Sequence, residues 1–269
     1  MADKRSALKP GQITILELLY KYRFGSRQLV AESLGIKAGS SLHEKINVLI
    51  KHKLVGKRLD QKLRMANVPA AYYLTPEGFR VLQALPDHEY ITDGVIKSSY
   101  NDKTVGQPFI THTLEVYKFT NALKSQYPGL QVYLRRDMAR YSYFPENPPD
   151  AFLSLKTEGG TRLFFLDVIA ESTPRYVIER RMAGYGTFFD EGSWDVTGNE
   201  LPALLCVAEK GTTETRTRRG ARAALGRLDL DEEIEVYTTT YGALINLTEP
   251  TPIWTSIEDP DELIILTDI

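Results

Sequence analysis

Residues 40–59 read SSLHEKINVLIKHKLVGKRL, and this stretch decides the fold expected for the first part of the chain. Apolar residues at helical spacing predict a helix with one inner face: Leu42, Ile46, Leu49 and Ile50. Ser40 or Ser41 is expected to cap this helix. Its outer face carries side chains that can donate to phosphates or base edges: His43, Lys45, Asn47, Lys51 and Lys53.

The residues before this helix predict two more helices. An apolar stripe identifies the first: Ile13, Leu16, Leu19 and Tyr20. Gly25 suits the left-handed position that follows a helix. Ser26 is a good N-cap for a short second helix over residues 27–34, which begins with Arg27. Gly35 is then expected to close that helix and to make the turn of a helix-turn-helix.

The residues after position 53 predict two short strands and a closing helix. Residues 54–59 and 71–75 are typical of strands, and the loop between them is basic. Pro76 suits the first position of a helix that continues over residues 77–85. A recognition helix followed by a basic hairpin predicts a winged-helix DNA-binding domain over residues 8–87. Its wing residues are Lys57, Arg58, Lys62 and Arg64. A winged helix can also bind protein, so a protein–protein scaffold remains an alternative.

Charge is divided unevenly along the chain. Residues 1–85 contain 15 Lys and Arg against 6 Asp and Glu, whereas the net charge of all 269 residues is −2. A basic segment beside an acidic remainder indicates a part that meets polyanions, of which nucleic acid is the commonest. A solvated lysine-rich face would give the same count.

Length and composition indicate a two-domain globular protein. No apolar run approaches the roughly 20 residues of a membrane span, and no leader peptide is recognisable, so we expect a cytoplasmic protein without membrane insertion. Cys206 is the single cysteine and lies in an apolar run, which favours a buried thiol. The four histidines are scattered, which argues against a histidine metal site.

The second half of the chain predicts a mixed α/β sheet domain over residues 109–269, after a linker over residues 88–108. Strands are expected at residues 130–134, 150–155, 162–168, 202–208 and 233–238, with a turn at Glu158-Gly159-Gly160. Helices are expected at residues 109–127, 175–189 and 214–227. An apolar strand, a helix and another strand imply a parallel pair. The acidic tail, residues 257–269, is expected to add an edge strand to this sheet, and docking on a partner is the alternative.

This order of elements, with Pro149-Asp150 and Asp167, resembles the core of the PD-(D/E)xK nuclease superfamily. The resemblance implies that Asp150 and Asp167 hold Mg²⁺ and that Glu115 is an accessory acid. A lysine is expected two residues after the second acid, but Ile169 stands there and carries no charge. Arg180 or Arg181 on the next helix could substitute for it. We therefore expect an inactive nuclease-like domain, with no cofactor unless Mg²⁺ binds these aspartates.

A winged helix followed by such a sheet domain resembles the replication-relaxation family of plasmid and conjugative-element proteins. Three short runs carry the resemblance: YYLTPEG at 72–78, PDA at 149–151, and FLDV at 165–168 followed by RMAGY at 181–185. Arg181 stands where lysine is usual in that family.

The resemblance implies binding of double-stranded DNA as an accessory to replication, mobilisation or conjugative transfer. A relaxase, a coupling protein or a replication protein is the implied partner, and a homodimer is compatible with the sequence. A Mg²⁺-dependent DNA endonuclease is the alternative activity. Clustered arginines at residues 216–227 would suit either a second phosphate-binding surface or a solvated helix that offsets its own acidic domain.

Overall fold

A computed structural model describes residues 8–59, 69–245 and 247–269. The chain divides into two compact units, Met1–Lys118 and Phe119–Ile269. This division lies later than the boundary expected at residues 108 and 109. Helices and a mixed sheet make up the fold, so the predicted α/β class is confirmed. Within the described residues, no helix has the length and apolarity that a bilayer span requires.

The first unit begins with three helices and a two-stranded hairpin. The helices are α1 (Pro10–Tyr22), α2 (Arg27–Ser33) and α3 (Ser40–Lys51), and the antiparallel strands are β1 (Val55–Arg58) and β2 (Ala71–Leu74). Helices α4 (Pro76–Gln83) and α5 (Asp93–Ser99) and the 3₁₀ helix Tyr100–Lys103 follow, and helix α6 (Gln107–Gln126) runs across the division. The predicted inner face of α3 is buried, since Leu42, Ile46 and Leu49 are at most 1% exposed.

The helix ends follow the predictions in part. Ser26 caps α2 by accepting a hydrogen bond from the Leu29 amide at 3.2 Å, and Gly35 adopts a left-handed φ of 63°, both as predicted. Arg23, and not Gly25, is left-handed after α1. Gly25 instead exchanges two backbone hydrogen bonds with Tyr72, which hold it extended. The expected serine cap of α3 is wrong, because Gly39 occupies the N-cap position.

The segment expected to be a linker, residues 88–108, is part of the first unit. It contains α5 and the 3₁₀ helix. Ile91 and Ile96 are at most 5% exposed and pack in the same core as Leu16 and Phe79. These two isoleucines are widely spaced in a polar stretch, so their periodicity alone did not indicate burial.

The run YYLTPEG at residues 72–78 forms the junction between β2 and α4. Thr75 caps α4 by accepting from the Gly78 amide at 3.2 Å, and Pro76 occupies the first helical position. Gly78 lies against the Leu54 carbonyl oxygen, only 2.2 Å from where a Cβ atom would stand. The run therefore serves the packing of the first unit.

Gly78→Ala should destabilise the protein by about 2 kcal/mol, because the added methyl group meets a backbone oxygen that cannot rotate away. Gly94→Ala is a matched control in α5, where the nearest atom to an added Cβ is 3.6 Å away. Urea unfolding of both variants measures the difference. A Gly78→Ala variant as stable as the control would show that the junction can open to admit a methyl group.

The second unit is built on a seven-stranded sheet in the order β3-β4-β5-β6-β7-β8-β9. Its strands are β3 (Gln131–Leu134), β4 (Ala151–Thr157), β5 (Gly160–Ile169), β6 (Ala203–Ala208), β7 (Val236–Thr240), β8 (Trp254–Ser256) and β9 (Leu263–Ile264). Strand β6 is parallel to both β5 and β7, and the other neighbours are antiparallel. The predicted parallel pair and the predicted edge strand of the tail are both confirmed.

The helices of this unit are α7 (Arg135–Met138), α8 (Arg175–Asp190), α9 (Gly211–Leu225) and α10 (Tyr241–Leu244). Buried residues of α8 and α9 share one core with the sheet, among them Met182, Ala221 and Phe165. Ile169 is 6% exposed and belongs to this core. The position at which the nuclease resemblance requires lysine is therefore an apolar packing position.

Candidate functional site

The outer face of α3 presents polar side chains to solvent. His43, Asn47 and Lys51 are exposed on this face, as the helical periodicity predicted. Lys53 is exposed too, but its predicted place on this helix is wrong, because α3 ends at Lys51 and Lys53 has a left-handed φ of 59°. Lys45 is half-buried and lies against Gly11 of α1. Its ammonium nitrogen is 3.4 Å from where a Cβ atom on Gly11 would stand. Three of the five side chains predicted for this face therefore lie on α3 and are exposed to solvent.

The hairpin residues divide into two kinds. Lys57 is exposed, and so is Arg27 at the first position of α2. Arg58 is half-buried, and its guanidinium donates to the backbone carbonyls of Lys103 at 2.8 Å and Val105 at 3.0 Å. Its donors thus fasten the hairpin to the end of the 3₁₀ helix and to the residues that follow it. Lys62 and Arg64 lie outside the described residues.

The second site forms where β4 and β5 pair. The antiparallel register sets Ala151 opposite Leu166, which brings the flanking residues Asp150 and Asp167 together. The Asp150 amide donates to the Asp167 carboxylate at 3.3 Å, and the Val168 amide donates to the Asp150 carboxylate at 3.0 Å. Both residues are buried.

Arg181 on α8 neutralises Asp167. Its guanidinium donates to both carboxylate oxygens, at 2.9 Å and 2.7 Å, and also to the carbonyls of Asn147 and Pro148. Burial lowers the pKa of Arg181, but the attraction and hydrogen bonds of Asp167 outweigh it and raise that pKa. Arg181 is therefore the half-buried counter-ion of Asp167.

Tyr185 completes the set of donors around Asp167. Its hydroxyl donates to the carboxylate at 2.9 Å, and its ring lies 4.9 Å from the Arg181 guanidinium carbon. Burial, and then the Asp167 charge, raise the pKa of Tyr185 well above its ordinary value, so the hydroxyl keeps its proton. The spacing of Arg181 and Tyr185, one helical turn, could have indicated this shared partner from the sequence.

These contacts occupy the carboxylate oxygens that a metal ion would need. Arg135, which the sequence did not single out, donates to Asp150 at 3.2 Å. Glu115, the expected accessory acid, lies on α6 in the first unit. In the described ranges no group of three or more His, Cys, Asp or Glu side chains could hold a metal ion. The aspartates come together as predicted, but they form an ion-pair network with Arg181.

Cys206 lies opposite Asp167 in the parallel pair of β5 and β6. It is 1% exposed, which confirms the predicted buried thiol. Burial, with a further contribution from the Asp167 charge, raises the pKa of this thiol. A protonated, buried thiol is unreactive, so Cys206 is a core residue.

Three of the clustered arginines on and after α9 bind groups of their own unit. Arg216 donates to the Glu171 carbonyl at 2.7 Å, and Arg222 donates to the carbonyls of Ile257 and Glu258. Arg227 pairs with the Glu179 carboxylate at 2.6 Å. Hydrogen bonds from Arg227 and Arg175 lower the pKa of Glu179. For these arginines the contacts favour a structural role over a phosphate-binding surface.

Comparison with known proteins gave one family. A family model described as replication-relaxation matches residues 16–204, which is more than half of the chain. The match spans α1 to the first residues of β6 and so includes both sites. No curated protein and no solved structure matched.

Proposed function

Because the chain belongs to the replication-relaxation family, we propose that it binds double-stranded DNA as an accessory protein in the replication, mobilisation or conjugative transfer of a plasmid or other mobile element. The exposed polar face of α3, backed by a buried apolar stripe, is the observation that carries this proposal. Three helices followed by an antiparallel hairpin have the element order of a winged helix. In such a fold the third helix enters the major groove and the hairpin lies along the backbone.

The side chains proposed to contact DNA differ in what they read. Asn47 can bond adenine bidentately, and Lys51 can reach a guanine edge. Arg27, Lys53 and Lys57, which are exposed, are proposed to contact phosphates, and such contacts position the duplex without reading its sequence. We do not include Arg58 among the proposed DNA contacts, because its donors already bind backbone carbonyls.

A gel-shift series with random duplex DNA at two salt concentrations tests the proposal. Affinity should fall steeply as salt rises, because each phosphate neutralised by Lys or Arg releases condensed counterions. Binding that does not weaken with salt would argue against phosphate contacts. It would favour the alternative of a winged-helix scaffold for protein partners.

Asn47→Ala should cost about 1–3 kcal/mol on the preferred DNA site and much less on other sequences, because only the preferred site presents the matching base edge. Lys57→Ala is the matched comparison. It should weaken all sequences alike and lower the salt slope by about one unit. Equal losses of Asn47→Ala on every sequence would make Asn47 a backbone contact, and an unchanged slope for Lys57→Ala would remove the hairpin from the interface.

A Mg²⁺-dependent endonuclease is the second candidate, because Asp150 and Asp167 do lie together at the paired strands. Hydrolysis also requires free carboxylate oxygens for the metal and a donor that stabilises charge, and Ile169 supplies none. We therefore expect no cleavage of duplex or single-stranded DNA with Mg²⁺ or Mn²⁺. Cleavage that Asp167→Ala abolishes would establish the endonuclease instead.

A relaxase, a coupling protein or a replication protein of the same element is the partner that this role requires. A homodimer would match a two-fold symmetric DNA site. Since plasmid DNA lies in the cytoplasm, the proposed role places the protein there.

A further inference from the structure

A pocket of about 340 Å³ in the second unit is lined by thirteen residues, of which six are aromatic. Tyr141 and Tyr133 are the most accessible of its rings, 45% and 37% exposed. Trp194 lies beneath, 1% exposed, and its indole N–H donates to the Glu200 carbonyl at 3.0 Å. The pocket thus has a fixed aromatic base and two tyrosine rings that face solvent.

The rings hold one another in place. Tyr141 lies 5.2 Å from Tyr143, which meets the edge of Trp194 at 6.0 Å. Tyr133 lies 5.7 Å from Phe152. Since packed aromatic neighbours restrict ring rotation, the exposed faces are preorganised. Exposed aromatic surface that is clustered and ordered marks a binding site more often than a chance feature.

Positive charge accompanies these rings. Residues 135–144 read RRDMARYSYF, in which three arginines precede three aromatic side chains, and Arg140 is exposed directly before Tyr141. Lys156 is exposed on β4, on the same face as the pocket residue Ser154. Among the described residues that line the pocket, Asp137 is the one acidic side chain, and its carboxylate accepts from the Leu134 amide at 2.9 Å.

We infer that this aromatic pocket binds an unstacked base of single-stranded DNA, with Tyr141 and Tyr133 stacking on the base. Aromatic side chains with interleaved cations are the combination by which proteins bind single strands, because rings stack on bases while cations follow the phosphates. A duplex cannot enter, since its bases are already stacked. An apolar peptide side chain would suit the walls but not the surrounding cations. The inference goes beyond duplex binding by α3, because it concerns the other unit and another form of nucleic acid.

Fluorescence anisotropy with the full chain and a labelled oligothymidylate of about twelve residues tests this site. The double variant Tyr133→Ala/Tyr141→Ala should bind at least about tenfold more weakly, with thermal unfolding within a few degrees of the parent. Tyr141→Phe should retain the parent's affinity, because its ring still stacks. Tyr176→Ala is the matched control, since Tyr176 is 68% exposed on α8 and is not a lining residue of the pocket.

Two results would overturn the inference. One is an alanine double variant that binds the oligothymidylate as tightly as the parent. The other is a parent that binds an abasic oligonucleotide of equal length just as tightly, since phosphates alone would then account for binding. The variant Lys51→Glu/Lys57→Glu should lose duplex binding and keep single-strand binding, so failure of one proposal is distinguishable from failure of the other.

Discussion

Arg181→Leu is expected to destabilise the protein by about 3–5 kcal/mol, the largest effect on stability that we expect from a single substitution. The Asp167 side chain is only 7% exposed, and Arg181 donates one hydrogen bond to each of its carboxylate oxygens. Within the part of the chain that the structure describes, removing the guanidinium leaves a buried carboxylate with the Tyr185 hydroxyl and the Asp150 amide as its remaining donors. It also leaves the carbonyls of Asn147 and Pro148 without this donor.

Urea unfolding of the parent, of Arg181→Leu and of Arg180→Ala measures this effect. Arg180 is the neighbouring arginine on α8 and is exposed, so its replacement should change stability by less than about 0.5 kcal/mol. Asp167→Asn added to Arg181→Leu should recover part of the loss, because the buried group is then neutral. A loss below about 1 kcal/mol for Arg181→Leu would mean that water screens the pair, and the network would not be structural.

Lys51→Glu/Lys57→Glu is expected to weaken duplex binding by at least about a hundredfold. Each reversal removes a cation from a phosphate and adds a repelling carboxylate, and like charges brought together in an interface cost several kcal/mol. Both lysines are exposed, and within the described residues neither forms an ion pair, so folding should be unaffected.

Lys97→Glu/Lys103→Glu is the matched control for this variant. It makes the same change in net charge within the first unit, at exposed positions on α5 and on the 3₁₀ helix. Gel shifts at one fixed salt concentration compare the two variants. Equal losses of duplex affinity in the two variants would mean that the overall charge of the unit accounts for binding. They would contradict the proposal that α3 lies in the major groove.

The sequence by itself determined those helices and strands that are specified by the spacing and type of neighbouring residues along the chain. The apolar stripe of α3 predicted the buried face of Leu42, Ile46 and Leu49, because helical spacing places those side chains on one side. Ser26 and Gly35 marked the ends of α2 for similarly local reasons, a hydroxyl that caps and a left-handed backbone. An apolar strand, a helix and a further strand were enough to predict that β6 and β7 are parallel.

Only the tertiary structure decided what the polar residues bind. Arg58 and Arg181 were both predicted from the sequence as functional cations, yet backbone carbonyls take the donors of the first and Asp167 takes those of the second. The segment that contains helix α5 was expected to be a linker, but Ile91 and Ile96 are buried in it. Residues from other parts of the first unit form the core that buries them, so the local sequence could not indicate their burial. A local pattern shows which side chains share a face. A charged side chain reaches several ångströms, so its partner is set by elements that only folding brings near.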